Sequence, residues 1–388
     1  MKIAAFNVEN LFDRAKAFNE DNTADAQRTI RAVAELNSIF EEENYTPTRK
    51  NRILELVETL NLNRFNEGPF ALIRKIRGSI IRRPQAGGIE IVADGRRDWI
   101  GWAELKTAPV DEIAILNTGR VIRDVNADIL AVIEAENRVS LKNFTEFVFA
   151  QVNDELLPAE RPSPYACVMV IDGNDNRGID VGLMTKDGFD IGLMRSHIHD
   201  LKPDGNPVYS RDCPEYAVTT PTGELVWLLP NHFKSKFGGN NASSIAKRKA
   251  QASRTAEIYQ SLRDRGQDNV VVLGDLNDTP ESDPLQPLLA DTDLRDVSVH
   301  PKFTVGEFNV PANNPNRGIG TFKLGNDNDK IDYLLLSPAL FDRVTAAGMF
   351  RKGAWPGSRP QRWEVYDELT QKIHVASDHH VIWAEIDE

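Results

Sequence analysis

The sequence predicts an α/β (α+β) protein built on mixed β-sheets with helices on their outer faces. Apolar runs of strand length outnumber helical patterns in the second half of the chain, and short turns join several of them into antiparallel hairpins. No internal repeat of fixed period and no low-complexity tract breaks the pattern. This mixture fits mixed sheets better than a parallel, doubly wound sheet.

The first third of the chain combines one short strand with a helical and a strand-like segment. The apolar run at 2–8 predicts a buried strand, and apolar residues then recur at helical spacing over 24–43 and 48–62. Residues 70–106 alternate as strands do around a Pro-Gln-Ala-Gly-Gly turn, which predicts a β-hairpin or a small sheet.

Helices and strands alternate more regularly after residue 110. Helical periodicity and apolar strand runs, separated by polar turns, predict helices over 111–125, 141–157 and 243–266 and strands over 127–133, 165–171, 178–185, 215–220, 225–232, 269–273, 331–336 and 380–386. We expect Ser243 or Ser244 to cap the long third helix and Gly266 to end it. The polar stretch 195–212 is predicted to be a loop.

Composition sets limits on what the protein binds. The 388 residues include 46 Lys and Arg against 58 Asp and Glu, a net charge of −12. This net negative charge argues against nonspecific electrostatic binding of duplex nucleic acid. It allows a nuclease whose carboxylates surround a divalent cation. No apolar run approaches a membrane span of about 18 residues, and the first residues do not resemble a signal peptide. We therefore expect a cytoplasmic protein in which Cys167 and Cys213 are free thiols.

Polar residues follow or open many of the predicted strands. They are Asn7 and Glu9, Glu134 and Glu136, Asn231 and His232, Asp275 and Asn277, Asp332, and the pair Asp378-His379. Rigid strand ends are suited to holding a site, and carboxylate and amide oxygens are the ligands that Mg²⁺, Mn²⁺ and Ca²⁺ prefer. The chain lacks the Cys/His spacing of a structural zinc site.

Six of these segments share an order as well as a position. They are FNVENLF (6–12), DILAVIEAEN (128–137), NHFKSKFGG (231–239), GDLND (274–278), KIDYLLLS (330–337) and SDHH (377–380). The set resembles the endonuclease/exonuclease/phosphatase superfamily, which includes pancreatic-type deoxyribonucleases. The resemblance implies a four-layer α/β/β/α sandwich of two mixed sheets, here one domain over 1–388 with a helical and β-hairpin insertion at 14–115.

The resemblance also implies roles for individual residues. It assigns the metal site to Asn7, Glu9, Glu134 and Asp378, with Mg²⁺ as the expected ion and Mn²⁺ or Ca²⁺ as alternatives. It assigns the catalytic groups to Asp275, Asn277, His379, Asp332 and His232. Asp275 is our choice for activating the attacking water, and Asp332 orients His379. It assigns a substrate contact to Arg177. Lys234 and Lys236 lie near His232 and a Gly-Gly pair in the sequence, and we interpret them either as substrate contacts or as part of a solvated loop.

Simpler interpretations remain for several other features. The stretch 72–97 has seven Arg and Lys against two acidic residues, which suits either a nucleic-acid backbone or pairing with the acidic helix around 41–43. Trp99 and Trp102 are expected in the core of the small sheet. The basic residues of helix 243–266, including Arg248, are interpreted as a solvated face, and His197 as a surface histidine.

Three hypotheses about function follow. The leading one is a divalent-metal-dependent phosphodiester hydrolase, a nuclease acting on DNA or RNA by attack of water on phosphorus. The second keeps the chemistry but changes the substrate to a small-molecule or lipid phosphoester. The third is an inactive scaffold that binds a partner through the insertion. The sequence predicts no oligomeric state.

Overall fold

The computed structural model describes residues 1–9, 23–84, 87–106, 111–175, 178–236, 241–306, 318–358 and 361–388. They form two compact units, a larger one of Met1–Phe12 with Val110–Glu388 and a smaller one of Asp13–Pro109. The predicted insertion, 14–115, ends inside a helix (Glu112–Val125) of the larger unit. Its status as an insertion into a single domain stays a prediction.

The elements are numbered along the chain. The strands are β1 (Lys2–Asn7), β2 (Ala71–Arg77), β3 (Ile81–Arg82), β4 (Glu90–Ile91), β5 (Ile100–Leu105), β6 (Ile129–Ala135), β7 (Tyr165–Ile171), β8 (Asp180–Lys186), β9 (Asp190–Arg195), β10 (Glu215–Thr219), β11 (Leu225–His232), β12 (Val270–Asp275), β13 (Arg295–Asp296), β14 (Phe303–Thr304), β15 (Asp332–Leu336), β16 (Val344–Phe350) and β17 (Val381–Ile386). The helices are α1 (Thr23–Phe40), α2 (Pro47–Thr59), α3 (Glu112–Val125), α4 (Arg138–Asn143), α5 (Ala150–Asn153), α6 (Ala242–Asp264), α7 (Gln286–Leu289) and α8 (Pro338–Phe341).

Two mixed sheets form the middle of the larger unit. One has seven strands in the order β14-β16-β17-β1-β6-β8-β7, and the other has six in the order β13-β15-β12-β11-β10-β9. Each sheet has a parallel pair at its centre, β1 with β6 and β11 with β12, flanked by antiparallel neighbours. The edge pair β14–β16 of the seven-stranded sheet is also parallel. These connections exclude a doubly wound parallel sheet.

The alternation of side chains along β1 shows how the layers stack. Ile3 and Ala5 join the apolar core between the two sheets, whereas Ala4 and Phe6 join a second core beneath α3 and α4. A third core lies between the other face of the six-stranded sheet and α6. Strands buried on both faces have continuous apolar sequences, which is why these runs stood out in the chain. The predicted four-layer α/β/β/α sandwich is confirmed.

The smaller unit has its own apolar core, formed by α1, α2 and the strands β2 to β5. Trp99 is buried there and packs edge-on against Phe40, with ring centroids 4.4 Å apart. Trp102 is 43% exposed, so its predicted place in the core is wrong. The side-chain amide of Asn37 exchanges hydrogen bonds of 2.7 and 2.9 Å with the backbone of Ala103, which covers the free edge of β5.

Two further expectations can be compared with the described residues. Cys167 and Cys213 are free thiols, as expected. None of the described helices is both long enough and apolar enough to cross a membrane.

Candidate active site

The seven-stranded sheet brings three of the motifs to one end. Because β1 and β6 are parallel, Asn7 lies opposite Ile133, next to Glu134. Strand β17 runs antiparallel to β1, so the segment before it, with Asp378 and His379, reaches the same end. Ser377 fixes this arrangement, since its hydroxyl donates to the Asn7 carbonyl (2.7 Å) and accepts from the His379 amide (3.0 Å).

The six-stranded sheet contributes the other motifs by the same logic. His232 lies opposite Asp275 in the parallel pair β11–β12, and Asp275 lies opposite Asp332 in the antiparallel pair β12–β15. Strand polarity therefore places three distant residues side by side. Gly274 is required before Asp275, because its φ is +120° and a Cβ there would lie 2.2 Å from the Asn231 carbonyl oxygen.

His379 and Asp332 form a buried pair. His379 Nδ1 lies 2.8 Å from Asp332 Oδ2, and both side chains are less than 10% exposed. Burial by itself would lower the pKa of His379, but the charge and hydrogen bond of Asp332 raise it well above its usual value. Phe322 packs on the imidazole with ring centroids 4.8 Å apart. The structure thus joins two residues that are 47 positions apart in the chain.

The Asp275 carboxylate accepts hydrogen bonds from several groups of the site. It accepts from the Asn277 amide (2.8 Å), the Asn277 side chain (3.0 Å) and the Asn7 side chain (3.3 Å), and His232 Nε2 lies 3.7 Å away. Burial and the nearby charge of Asp332 raise the pKa of Asp275, with His379 opposing them. Asn277 Nδ2 also donates to the Phe233 carbonyl, which fixes the amide orientation.

The four predicted metal ligands lie at the same end of the seven-stranded sheet. The Glu9 carboxylate accepts from the Asp378 amide (3.1 Å), and Asn7 Oδ1 accepts from the Glu9 amide (3.0 Å). Glu134 Oε1 lies 3.6 Å from His232 Nε2, and Asp378 Oδ1 lies 3.6 Å from His379 Nε2. Burial and the charge of Glu9 raise the pKa of Asp378 to about 7. Like charges held this close favour a bound cation.

Three of the predicted site residues have an unusual backbone conformation. Six non-glycine residues of the described chain have left-handed φ angles, and Glu9 (54°), Glu134 (68°) and Asn277 (55°) are three of them. Such conformations cost energy and concentrate at functional sites. At Glu134 the strain coincides with a β-bulge in the pairing of β6 with β8. Nothing in the sequence patterns predicted these angles.

A tighter cluster of potential ligand atoms lies beside these four residues. Among the described residues, donor atoms of Asp275, Asp332 and His379 fall within 4.8 Å of one another. Their proximity is explained by the hydrogen bond between His379 and Asp332 and by strand pairing. The oxygen-rich set of Asn7, Glu9, Glu134 and Asp378 fits a hard divalent cation better than this histidine-containing triad.

The predicted substrate residues have mixed outcomes. Arg177 lies outside the described residues. Lys236 forms an ion pair with Asp278, directly after Asn277, and the Lys234 amide donates to Gln251 Oε1 (2.8 Å). The two lysines are thus held near the end of β12, and their contact with substrate stays a prediction.

Arg248 is a residue that sequence reasoning assigned wrongly. It is fully buried and not part of a solvated face, and its Nε donates to Asp278 Oδ2 at 3.0 Å. Its Nη1 donates to the Lys234 carbonyl, so one guanidinium ties α6 to both loops of the site. Asp278 ends the GDLND motif, and an acidic residue at that place is the sequence signal from which a buried basic partner could have been inferred. Asn241 caps α6 by accepting a hydrogen bond from the Ser244 amide. The prediction that Ser243 or Ser244 is the cap is therefore wrong.

Comparison with known proteins identifies the family of the chain. The model of the "Endonuclease/Exonuclease/phosphatase family" matches residues 82–352, more than half of the chain. No curated protein matches the chain.

Solved structures resemble the chain at low identity. A mannosyl-6-phosphatase from Bacteroides thetaiotaomicron is 15% identical, with a TM-score of 0.49, and the match covers 71% of this chain and 91% of that one. Truncated TDP2 from Caenorhabditis elegans is 15% identical, with a TM-score of 0.44 and coverage of 70% and 88%. On the strength of the family match, the chain belongs to the endonuclease/exonuclease/phosphatase family, whose members hydrolyse phosphate esters, generally with a divalent metal.

Proposed function

We propose that the protein is a divalent-metal-dependent phosphodiesterase that cleaves polynucleotides. The observation that carries the proposal is the convergence of His379, Asp332 and Asp275 from two sheets on the oxygen-rich set of Asn7 and Glu134. Attack of water on a phosphodiester builds negative charge on phosphoryl and leaving oxygens, and this charge needs fixed donors and cations around it.

Side chains of the site accept the proton of the attacking water and donate hydrogen bonds to the phosphate. Asp275, held by the Asn277 and Asn7 amides, is positioned to accept a proton from the attacking water. His379, oriented through Nδ1 by Asp332, directs Nε2 toward the phosphoryl oxygens and donates a hydrogen bond to them. His232 Nε2, between Glu134 and Asp275, contributes a second donor on the other side of the site.

The donor chemistry of the site fits a hard divalent cation. Asn7, Glu9, Glu134 and Asp378 would hold Mg²⁺ or Mn²⁺ through side-chain oxygens. When bound, the cation neutralises the charge that develops on the phosphate oxygens. The raised pKa of Asp378 beside Glu9 supports this assignment, because a cation relieves the repulsion between the carboxylates.

The substrate class is proposed from charge distribution. The chain is acidic overall, yet residues 72–97 carry an excess of five positive charges. A polynucleotide offers repeated phosphates along its length, so a basic segment outside the catalytic groups is useful for it. A small phosphoester has no comparable need for such a segment.

A metal-dependent substrate panel tests the proposal. Purified protein is incubated with single- and double-stranded DNA, RNA, a chromogenic phosphodiester and a chromogenic phosphomonoester, each with Mg²⁺, Mn²⁺ or EDTA. We expect cleavage of polynucleotides and of the diester with metal, and none with EDTA. Asp275→Asn is the inactive control, and Asp342→Asn, at an exposed acid paired with Arg295, is the matched active control. Activity confined to the monoester, or unaffected by EDTA, would overturn the proposal.

A further inference from the structure

The two-stranded ribbon β2–β5 of the smaller unit has one buried and one exposed face. Ile73 and Ala103 face each other across the strands and are buried in the core. On the opposite face Arg74 lies directly across from Trp102, with Arg74 exposed and Trp102 43% exposed. The Trp102 ring thus offers a flat aromatic face on the solvent side of the ribbon.

Glu104 holds the Arg74 side chain in place next to Trp102. Arg74 Nε donates to Glu104 Oε2 at 3.0 Å. That hydrogen bond, with a smaller contribution from the Trp102 indole, holds the pKa of Glu104 below its usual value. Arg74 therefore does not pair with the acidic residues at 41–43, the alternative left open by the sequence. The aromatic ring and the guanidinium are ordered beside each other on the exposed face.

More positive charge gathers where β2 ends. A register shift after Lys75 places Arg77 opposite Ile100, on the same face as Trp102, since alternate residues of β5 share a face. Arg77 Nη2 donates to the Arg97 carbonyl (2.7 Å), which brings a second arginine alongside. Gly78 makes this approach possible, because a Cβ there would lie 1.9 Å from the Asp98 carbonyl oxygen.

Among the described residues, acidic side chains do not neutralise the positive charge at this end of the ribbon. Arg96 and Arg97 are exposed, and within the part of the chain that the structure describes neither side chain forms an ion pair with a carboxylate. The nearby Asp94 is instead paired with Lys50 of α2. The Asp98 carboxylate accepts from the Asp94 amide. The local acids are therefore engaged elsewhere, and the arginines face solvent.

We propose that this ribbon surface, formed by Arg74, Arg77, Arg96, Arg97 and Trp102, binds a single-stranded polynucleotide. The inference rests on the proposed function in taking a polynucleotide as the substrate. Trp102 stacks on an unpaired base, and the arginines contact successive phosphates. A single strand is favoured over a duplex because base faces are open to an aromatic ring only where the strand is unpaired. The charge is complementary to a polyanion, although the chain as a whole carries −12.

Binding is measured on the full chain by fluorescence anisotropy with labelled single-stranded oligonucleotides, in EDTA so that cleavage does not intervene. Trp102→Ala is expected to weaken binding about tenfold, and Trp102→Phe to recover most of that loss. Arg77→Ala and Arg97→Ala should each lower the slope of log K against log salt by about 0.7. Arg31→Ala, which removes an exposed charge from α1, is the matched control and should leave binding unchanged.

Hydrolysis of the chromogenic phosphodiester separates this inference from the proposed function. All variants should hydrolyse the chromogenic phosphodiester at the wild-type rate, which also shows that they are folded. Unchanged single-strand affinity in Trp102→Ala and Arg97→Ala, or tighter binding of duplex than of single strand, would overturn the ribbon surface while leaving the phosphodiesterase proposal intact. If the wild-type protein does not hydrolyse the diester, the proposed function is refuted instead.

Discussion

Two buried histidines of the larger unit have nearly the same partners but different surroundings. His379 lies 2.8 Å from Asp332 through Nδ1 and 3.6 Å from Asp378 through Nε2. His197 lies 2.9 Å from Asp200 through Nδ1 and 2.9 Å from Glu215 through Nε2. Both rings are less than 10% exposed, so burial and carboxylate contact do not distinguish them.

Charge balance does distinguish the two histidines. Asp200 also pairs with Arg254, and Glu215 pairs with Arg195 and Arg265, so arginines neutralise the carboxylates around His197. In the described residues, no Lys or Arg forms an ion pair with Asp275, Asp332 or Asp378. The network of His197 is closed and stabilises the fold. The carboxylates around His379 have no Lys or Arg partner among the described residues, which favours a bound cation. Uncompensated charge marks the functional site better than a buried histidine does.

The largest expected effect is on catalysis at the uncompensated site. Asp275→Asn keeps the shape and removes the carboxylate that accepts a proton, so we expect kcat for polynucleotide cleavage to fall about 10³-fold. Steady-state kinetics with saturating Mg²⁺ measures it, and circular dichroism checks the fold. A loss of less than tenfold would show that this carboxylate is not the base.

Arg248 tests a closed charge pair that lies next to the site. Arg248→Met leaves Asp278 without its buried guanidinium, and we expect the free energy of unfolding to fall by about 3–5 kcal/mol. Urea denaturation measures the loss, with Lys249→Met, at an exposed position of the same helix, as the control. If the two variants are equally stable, the Arg248–Asp278 pair does not hold the loops together.

Asp332 acts through His379 and should have a smaller effect than Asp275. Asp332→Asn removes the charge that fixes the imidazole, and we expect kcat to fall about 10²-fold with KM changed less than threefold. Initial rates over a range of substrate concentrations separate the two parameters. A change confined to KM would assign Asp332 to substrate binding.

The smallest expected effect concerns stability at the closed network. Burial lowers the pKa of His197, but Glu215 and Asp200 raise it above its ordinary value in the fold. A raised pKa adds stability that is fully present below about pH 6.5 and is lost as the pH rises through the folded-state value. His197→Asn should therefore cost about 1–2 kcal/mol at pH 6 and less at pH 9. Thermal unfolding at both pH values measures this, with exposed His199→Asn as the control. An equal or larger loss at pH 9 would contradict the assignment.

The sequence predicted the strand ends well because each polar residue follows or opens an uninterrupted apolar run. Asn7, Glu134, Asp275 and Asp332 all lie at or near the end of a predicted strand. The four-layer sandwich was implied by the family resemblance, and the strand-rich pattern is compatible with it. The packing of one sheet on the other could not be predicted from the chain, because it depends on contacts as distant as the 268 positions between Asn7 and Asp275.

The errors in the sequence analysis share a physical cause. Strand β16 was missed because Val344–Phe350 contains two alanines and a glycine, and it is stabilised by pairing with β17 along its length. Arg248 and His197 were interpreted as surface residues because their partners, Asp278 and Glu215, lie in other parts of the fold, after β12 and in β10. Burial of a charged side chain is decided by a tertiary partner, which local periodicity does not encode.

The most direct test of this comparison measures phosphodiester hydrolysis with bound Mg²⁺ in His379→Asn and His197→Asn side by side, at a temperature where both variants are folded. We expect His379→Asn to lose activity at least 10²-fold and His197→Asn to stay within about twofold of the wild type. Equal activity in the two variants, or a larger loss in His197→Asn, would contradict the claim that uncompensated charge marks the catalytic histidine.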